Sequence, residues 1–403
     1  MSPEYSSDNA SADPIAAAPA VELSVVMPCL NEADTLATCI DKATRAMREH
    51  DVAGEVVVAD NGSTDESCAI AERHGARLVH VTERGYGSAL MHGIASSRGR
   101  FVIMGDADDS YDFLEIPKFL DKLREGHELV QGCRLPAGGG RVLPGAMPVL
   151  HRVWGNPMFS FLVRRMFDAP IHDVYCGLRG FTRELYDRLD MRCTGMEFAT
   201  EMIIKSSLSR ERIAEVPITL HPDGRKSHAP HLRTFRDGWR TLRFFLMYSP
   251  KWLFWFPGMT LIILGTIGYA LALPGLTIFG ATLDAHTLLF ASLAILVGYQ
   301  AVQFAILAMA FAVNERLLPL SARVDRFFRT FTLERGLILG GVSVIVGAGL
   351  LVAAINRWRL TDFGAMDYAR TMRLVIPGVT VVAIGVQTLF SSFFCSVLEL
   401  KRR

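Results

Sequence analysis

The chain has 403 residues, a formal net charge of +1 and a mean hydropathy of +0.26, with half of its residues hydrophobic. That length allows two or more cores, and the near-zero charge excludes a general nucleic-acid binder. The hydropathy is high for a soluble protein, and the excess lies almost entirely after Lys251.

Residues 1–20 are rich in Ser, Ala, Pro and Asp and lack a basic start or a long apolar core. They read as a disordered tail rather than a signal peptide. From Val21 the pattern is strand then helix, repeated. "LSVVMP", "EVVVAD", "ARLVHV", "RFVIMGD" and "HELVQGCR" read as strands. "NEADTLATCIDKATRAMREH", "DESCAIAERHG", "SALMHGIASSRG" and "FLEIPKFLDKLREG" read as the helices between them. This alternation predicts an α/β domain over 21–230, with a parallel sheet covered on both faces. In such sheets ligands bind beyond the carboxyl ends of the strands. Asp60 and Asp106 stand at those ends, as do Asn31 and Glu32 just after Pro28, so three polar clusters converge on one edge.

The fourth strand runs into "GDADDSYDF", which holds four aspartates: Asp106, Asp108, Asp109 and Asp112. Crowded like charges need a cation or strong donors among them. An EF-hand is rejected, because Tyr111 replaces its glycine and Pro117 its glutamate. Asp112 is better placed than Asp106 or Asp108 to cap the following helix. Asp60 also suits an Asx-turn in "DNGSTD". There is no G-x-G-x-x-G after the first strand and no Walker A sequence. "RGYGSAL" is a glycine turn opening a helix, fit either to present N–H groups to an anion or to serve as a plain tight turn. The seven scattered cysteines form no C-x-x-C and suggest reduced thiols in a cytosolic compartment. Carboxylate-rich strand ends suit sugar hydroxyls, a base edge and a divalent metal carrying a diphosphate.

Two stretches before the apolar region look interfacial. "HLRTFRDGWRTLRFFL" sets Leu232, Phe235, Trp239, Leu242 and Leu246 at helical spacing beside Arg233, Arg236, Arg240 and Arg243. This predicts an amphipathic helix over 231–251 lying at an anionic membrane surface. "HRVWGNPMFSFLVRRMF" is similar but interrupted by Gly155-Asn156-Pro157, and follows a mobile "AGGG" loop. Four apolar segments then predict transmembrane helices at about 252–273, 287–313, 336–355 and 374–398, within a membrane domain over 252–403. Lys and Arg cluster before the first span, between the second and third, and at Lys401-Arg402-Arg403. Arg357, Arg359, Arg370 and Arg373 are a partial exception. The balance predicts an integral protein of the cell (inner) membrane with both termini and the soluble domain in the cytoplasm.

"VVMPCLNEADTL", "VVVADNGSTDES" and "VIMGDADDSYD" resemble the opening blocks of family 2 glycosyltransferases with the GT-A fold. "GCR", "HDVYCGLRGF" and "GMEFATEM" extend the resemblance, whose nearest branch is the polyprenyl- or dolichyl-phosphate hexosyltransferases, similar to dolichol-phosphate mannose synthase. The resemblance implies that Asp60 meets the base of a nucleotide sugar, with Pro28, Asn31 and Glu32 lining the same pocket. It implies that Asp106 and Asp108 handle Mg2+ or Mn2+ and the donor diphosphate, and that Arg225 reaches back to the phosphates. "PDGRKS" departs from the familiar spacing around that arginine. Ser110 stands where the mannose-synthase pattern has Gln, so Ser110 is the expected third ligand, with Asp109 or water completing the shell or placing a sugar hydroxyl. Arg134, Arg152 and Arg179 are implied at the acceptor phosphate, and Glu197 lies in a family block.

The implied reaction moves a hexose, glucose first and mannose second, from a UDP- or GDP-sugar to polyprenyl phosphate with inversion. The acceptor oxyanion is already charged, so a strong base is not needed; His92 and His172 are expected to pack. The alternatives are a processive polysaccharide synthase, disfavoured because Arg357-Trp358 lacks the preceding Gln, and a non-catalytic nucleotide- or metal-sensing membrane protein. The oligomeric state is open, a homo-oligomer among the options.

Overall fold

The computed structural model describes residues 21–225, 234–278, 280–314, 325–326, 329–365 and 367–399. The expected tail, Leu232, Arg233, Arg316, Arg323 and the terminal Lys401-Arg402-Arg403 lie outside them. The chain forms two compact units, one reaching to 232 without 165–168, the other taking in 165–168 and 233 onward.

In the first unit, strands β1 (Leu23–Cys29), β2 (Gly54–Asp60), β3 (Arg77–His80), β4 (Phe101–Met104) and β5 (Leu129–Cys133) alternate with helices α1 (Leu36–Glu49), α2 (Ser67–Arg73), α3 (Tyr86–Ser96) and α4 (Ile116–Arg124). There follow β6 (Arg141–Val142), α5 (Asn156–Phe167), β7 (Arg179–Thr182), α6 (Arg183–Leu189), α7 (Phe198–Leu208), β8 (Ile213–Pro217) and β9 (Thr219–Leu220). The central strands are apolar because both faces are covered: Val25, Met27 and Val58 pack with Leu36 and Ile40 of α1 and are fully buried.

The sheet order is β3-β2-β1-β4-β7-β5-β8. It corrects the expectation of an all-parallel sheet. β5 does not neighbour β4; β7 lies between them and is antiparallel to both. The short "RGFT" of β7 gives no strand pattern in the sequence, yet its reversed direction sets Arg179 opposite Met104 and Gln131. That puts a buried arginine at the carboxyl end of β4, next to the aspartate-rich loop.

The second unit contains α8 (Thr234–Tyr248), α9 (Phe256–Ala272), α10 (Ala285–Asn314), α11 (Leu333–Arg359) and α12 (Tyr368–Glu399). With the turn Lys251–Trp255 that precedes α9, these supply four helices long and apolar enough to cross a membrane. Apolar side chains such as Phe290, Ile345 and Phe390 stay exposed along them, as a lipid-facing surface requires. Polar groups inside pair across helices: the Tyr269 hydroxyl lies 2.6 Å from Ser292 Oγ and 3.1 Å from Thr380 Oγ1. In α8, Trp239 is exposed whereas Phe245 is buried and meets Phe167 edge-on.

Candidate active site

The loops after β1 and β2 are stitched together. Asn31, with φ +60°, accepts the Thr64 N–H through Oδ1 at 2.8 Å, and its own N–H meets Ser63 Oγ at 2.9 Å. Glu32 is anchored by its N–H to Ser67 Oγ at 2.9 Å. Asp60 forms the expected Asx-turn, accepting the Gly62 N–H at 3.2 Å and the Ser63 N–H at 3.0 Å. Burial alone would raise its carboxyl, but bonds from Ser63, Gly62 and Cys68 win and hold it below the usual range. Pro28 is half-buried at the same edge. Asn31, Glu32 and Asp60 thus belong to one tied pair of loops.

The aspartate-rich loop after β4 is held from two sides. Thr35 donates to the Ala107 carbonyl at 2.7 Å. The segment after β9 lies along it, with the His221 N–H on Ser110 O at 2.9 Å and the Gly224 N–H on Asp108 O at 3.0 Å. This brings Arg225 into the carboxylates. Its Nε donates to Glu32 Oε2 at 2.8 Å, while Nη1 lies 3.0 Å from Asp223 and 3.4 Å from Asp108. Arg225 therefore joins the first loop to the fourth.

The four aspartates separate by geometry. Tyr86 donates its hydroxyl to Asp106 Oδ1 at 2.8 Å. Asp108 accepts both the N–H of Ser110, at 3.1 Å, and its hydroxyl, at 2.6 Å. Ser110, expected as a metal ligand, directs its hydroxyl proton to Asp108. Asp109 has φ +58°, which turns its side chain to Lys42 Nζ at 2.8 Å. Lys42 of α1 thus offsets the charge of Asp109, the residue expected to complete the metal shell or place a sugar hydroxyl. Asp112 caps the turn Phe113–Glu115, accepting the Leu114 N–H at 3.1 Å. Lys42→Ala should cost under about 1 kcal/mol, the pair being part-exposed, and leave turnover within about twofold. Asp112→Ala should cost about 1 kcal/mol of stability. Melting curves and initial rates on both variants check this.

Two of the three arginines implied at the acceptor phosphate have protein partners. Arg134 is buried and makes a bidentate pair with Asp173, Nε to Oδ2 at 2.7 Å and Nη2 to Oδ1 at 2.9 Å. Arg179 is fully buried, giving Nη2 to Cys176 O at 2.8 Å and Nη1 to Ala199 O. Both are thus engaged by groups of the protein itself, while the Nε of Arg179 has no hydrogen-bond partner among the described residues. Arg152, by contrast, is exposed in the turn His151–Gly155, beside exposed Val153 and Trp154. Glu197 is half-buried just before α7. His172 is taken by Glu215 at 2.7 Å and His92 by Ser88 O at 2.9 Å, which fits packing roles for both.

Comparison with known proteins adds to this geometry. The glycosyl transferase family 2 model matches residues 24–190, and the family 2 C-terminal transmembrane region matches 306–399. A low-salt glycan biosynthesis hexosyltransferase of Haloferax volcanii is 38% identical over 381 residues, which is 93% of this chain and 89% of that protein. The chain belongs to glycosyltransferase family 2. A dolichyl-phosphate hexose transferase of the same organism is 33% identical, covering 49% of this chain and 82% of its own length. A glucosyl-3-phosphoglycerate synthase from Mycobacterium tuberculosis, solved with Mg2+ and uridine-diphosphate, is 23% identical with a TM-score of 0.45, over 56% of this chain and 78% of that one.

This glycosyltransferase is an integral membrane protein with C-terminal transmembrane helices, and its soluble unit is a GT-A mixed α/β domain. Several of its site-building residues carry no signal of their own in the sequence. Glu201 is buried, accepts the Cys193 N–H at 2.9 Å and pairs with Lys205 at 2.8 Å. It fastens the 193–195 backbone, against which Gly85 and Gly87 pack so closely that a Cβ on either would lie 2.3 Å from a carbonyl oxygen. "RGYGSAL" is thus a packing turn: Asn61 takes the Gly85 N–H at 2.8 Å and Thr194 O the Ser88 N–H at 3.0 Å. Its anion-binding reading has no support there.

The charge balance fits a divalent cation. Glu32, Asp106, Asp108 and Asp223 gather around Arg225, while Arg134 nearby is already neutralised by Asp173. Burial, then the charge of Asp108, pushes the Asp106 carboxyl up to about 6 from its ordinary 3.8. A divalent cation bound there would compete with that proton and release it. Mn2+ affinity should therefore be flat above about pH 7 and fall below pH 6, by up to about tenfold per unit. Titrations at pH 5, 6 and 7.5 measure this; equal affinity at all three would contradict it.

Proposed function

We propose that this glycosyltransferase moves a hexose from a nucleoside diphosphate sugar to polyprenyl phosphate, with inversion, yielding a lipid-linked sugar for glycan biosynthesis. The observation that carries the reading is the carboxylate cluster of Asp106, Asp108 and Glu32 beside Asp60, on a chain ending in membrane helices. The similarity to a dolichyl-phosphate hexose transferase supports the lipid acceptor. Glucose is the first candidate and mannose the alternative.

In this reading Asp60, Asn31 and Pro28 receive the base and ribose at the ends of β1 and β2. Asp106 and Asp108 would hold Mg2+ or Mn2+, with Ser110 keeping Asp108 in place. The ion, when bound, neutralises the charge that develops on the departing diphosphate. Arg225 exchanges its contact with Asp108 for the donor phosphates and stays aligned by Glu32. Arg152, beside exposed apolar residues, meets the acceptor phosphate at the membrane surface. The acceptor oxyanion attacks the anomeric carbon opposite the leaving diphosphate, so one displacement inverts that centre. No protein base is needed, which agrees with the engagement of His92 and His172 elsewhere.

In this reading the domain over 21–230 binds the donor, the helix predicted over 231–251 lies at the interface and the four long apolar helices within 252–403 cross the bilayer. The positive-inside distribution of Lys and Arg supports a cytoplasmic active site and cytoplasmic termini. Membranes containing the protein, supplied with polyprenyl phosphate, Mn2+ and a panel of labelled UDP- and GDP-hexoses, should pass label from one donor into organic-soluble lipid. No such transfer from any donor would overturn the reading.

A further inference from the structure

The two oxygens of Asp106 have different surroundings. Oδ1 accepts the Tyr86 hydroxyl at 2.8 Å. Oδ2 lies against Gly177, where a Cβ would come within 2.8 Å of it, so only a bare backbone fits there. Gly177 is itself fixed, its N–H donating to the Tyr111 hydroxyl at 2.8 Å. Among the described residues Tyr86 is the protein donor to Asp106.

Tyr86 is held as firmly as the group it touches. It opens α3 between Gly85 and Gly87, whose lack of side chains lets the turn seat on the 193–195 backbone. That backbone is fastened by Glu201, and the Gly85 N–H by Asn61. A rigid ring reaching from a fixed turn delivers one charge-assisted hydrogen bond in one direction.

We propose that Tyr86 is a positioning residue: its hydroxyl occupies Asp106 Oδ1 and, with the Gly177 backbone against Oδ2, fixes the plane of the carboxylate that would hold the cation. The inference rests on the metal reading of Asp106 and Asp108 given above. In this role Tyr86 acts through Asp106.

The test measures Mn2+ binding to the full-length protein in detergent by the electron paramagnetic resonance of free Mn2+, alone and with UDP. Wild type, Tyr86→Phe and Asp108→Asn are compared, with a melting curve for each. Tyr86→Phe removes only the hydroxyl, so its melting temperature should stay within about 2 °C while its Mn2+ dissociation constant rises about tenfold. In turnover assays the Mn2+ concentration for half-activation should rise by about the same factor, with kcat at saturating Mn2+ within about twofold of wild type. Unchanged Mn2+ affinity in Tyr86→Phe, with binding lost in Asp108→Asn, overturns the positioning role and leaves the metal reading standing. Binding that is absent in wild type, or undiminished in Asp108→Asn, overturns both. A large fall in melting temperature with equal loss of metal-free UDP binding makes Tyr86 a packing residue and also overturns the proposal.

Discussion

Asp108→Ala is expected to lower turnover by about a thousandfold or more while the protein stays folded. The asymmetry follows from what Asp108 touches. Its carboxylate is half-buried and engaged by Ser110 and, at 3.4 Å, by Arg225. When it is removed, Arg225 keeps Glu32 and Asp223, so no charge is stranded. The Ser110 hydroxyl, itself only half-buried, turns to water. The backbone of the loop is held independently through Asp108 O and Ser110 O by the segment after β9. What is lost is a negative group in the cluster proposed to hold the cation. Initial rates and melting curves measured side by side check this. Unchanged activity would refute the metal role, and a collapsed melting curve would show that the carboxylate is structural.

Arg134→Ala is expected to destabilise the soluble unit by about 3–5 kcal/mol. Asp173 is wholly buried, and Arg134 supplies it with three donors: Nε, Nη2 and its own backbone N–H at 3.0 Å. Truncating the arginine leaves a carboxylate in the interior without its counter-charge. Asp173→Ala should cost a similar amount by stranding the guanidinium. Replacing both by apolar residues of similar volume should recover most of the loss, because the penalty belongs to the unpaired charge rather than to the missing pair. Chemical unfolding of the full-length protein in detergent, followed by a probe in the soluble unit, provides the measurement. An acceptor-binding role predicts the opposite pattern: a raised KM for polyprenyl phosphate with stability unchanged.

That contrast shows which features were legible in the sequence. Continuous apolar runs ending in polar residues marked β1, β2 and β4, and so placed Asp60 and Asp106 at one edge. The crowding of like charge in "GDADDSYDF" called for partners, and the fold supplies Tyr86 for Asp106, Arg225 for Asp108 and Lys42 for Asp109. The same string could not divide its four aspartates. The positive φ that sends Asp109 to Lys42 and the cap made by Asp112 are properties of the folded loop. Nor could the sequence show whether an arginine has a partner: the partner of Arg134 lies 39 residues away at Asp173. The burial of Arg179 was hidden for a related reason, since β7 is too short to announce itself and its reversal buries the side chain. Tyr86 stands between two glycines and carries no pattern of its own; its bond to Asp106 appears only in the fold. Sequence patterns report periodicity and local charge; the pairings between distant loops that decide which charge is free appear only in three dimensions.

The most direct test is product analysis with purified protein, Mn2+ and a panel of UDP- and GDP-hexoses, offering polyprenyl phosphate in one reaction and the unphosphorylated polyprenol in another. Mass spectrometry should find a hexosyl polyprenyl phosphate in the first, formed from one nucleotide sugar and lost on chelation, and no product in the second. Absence of product from every donor, or equal transfer to the unphosphorylated alcohol, would contradict the account.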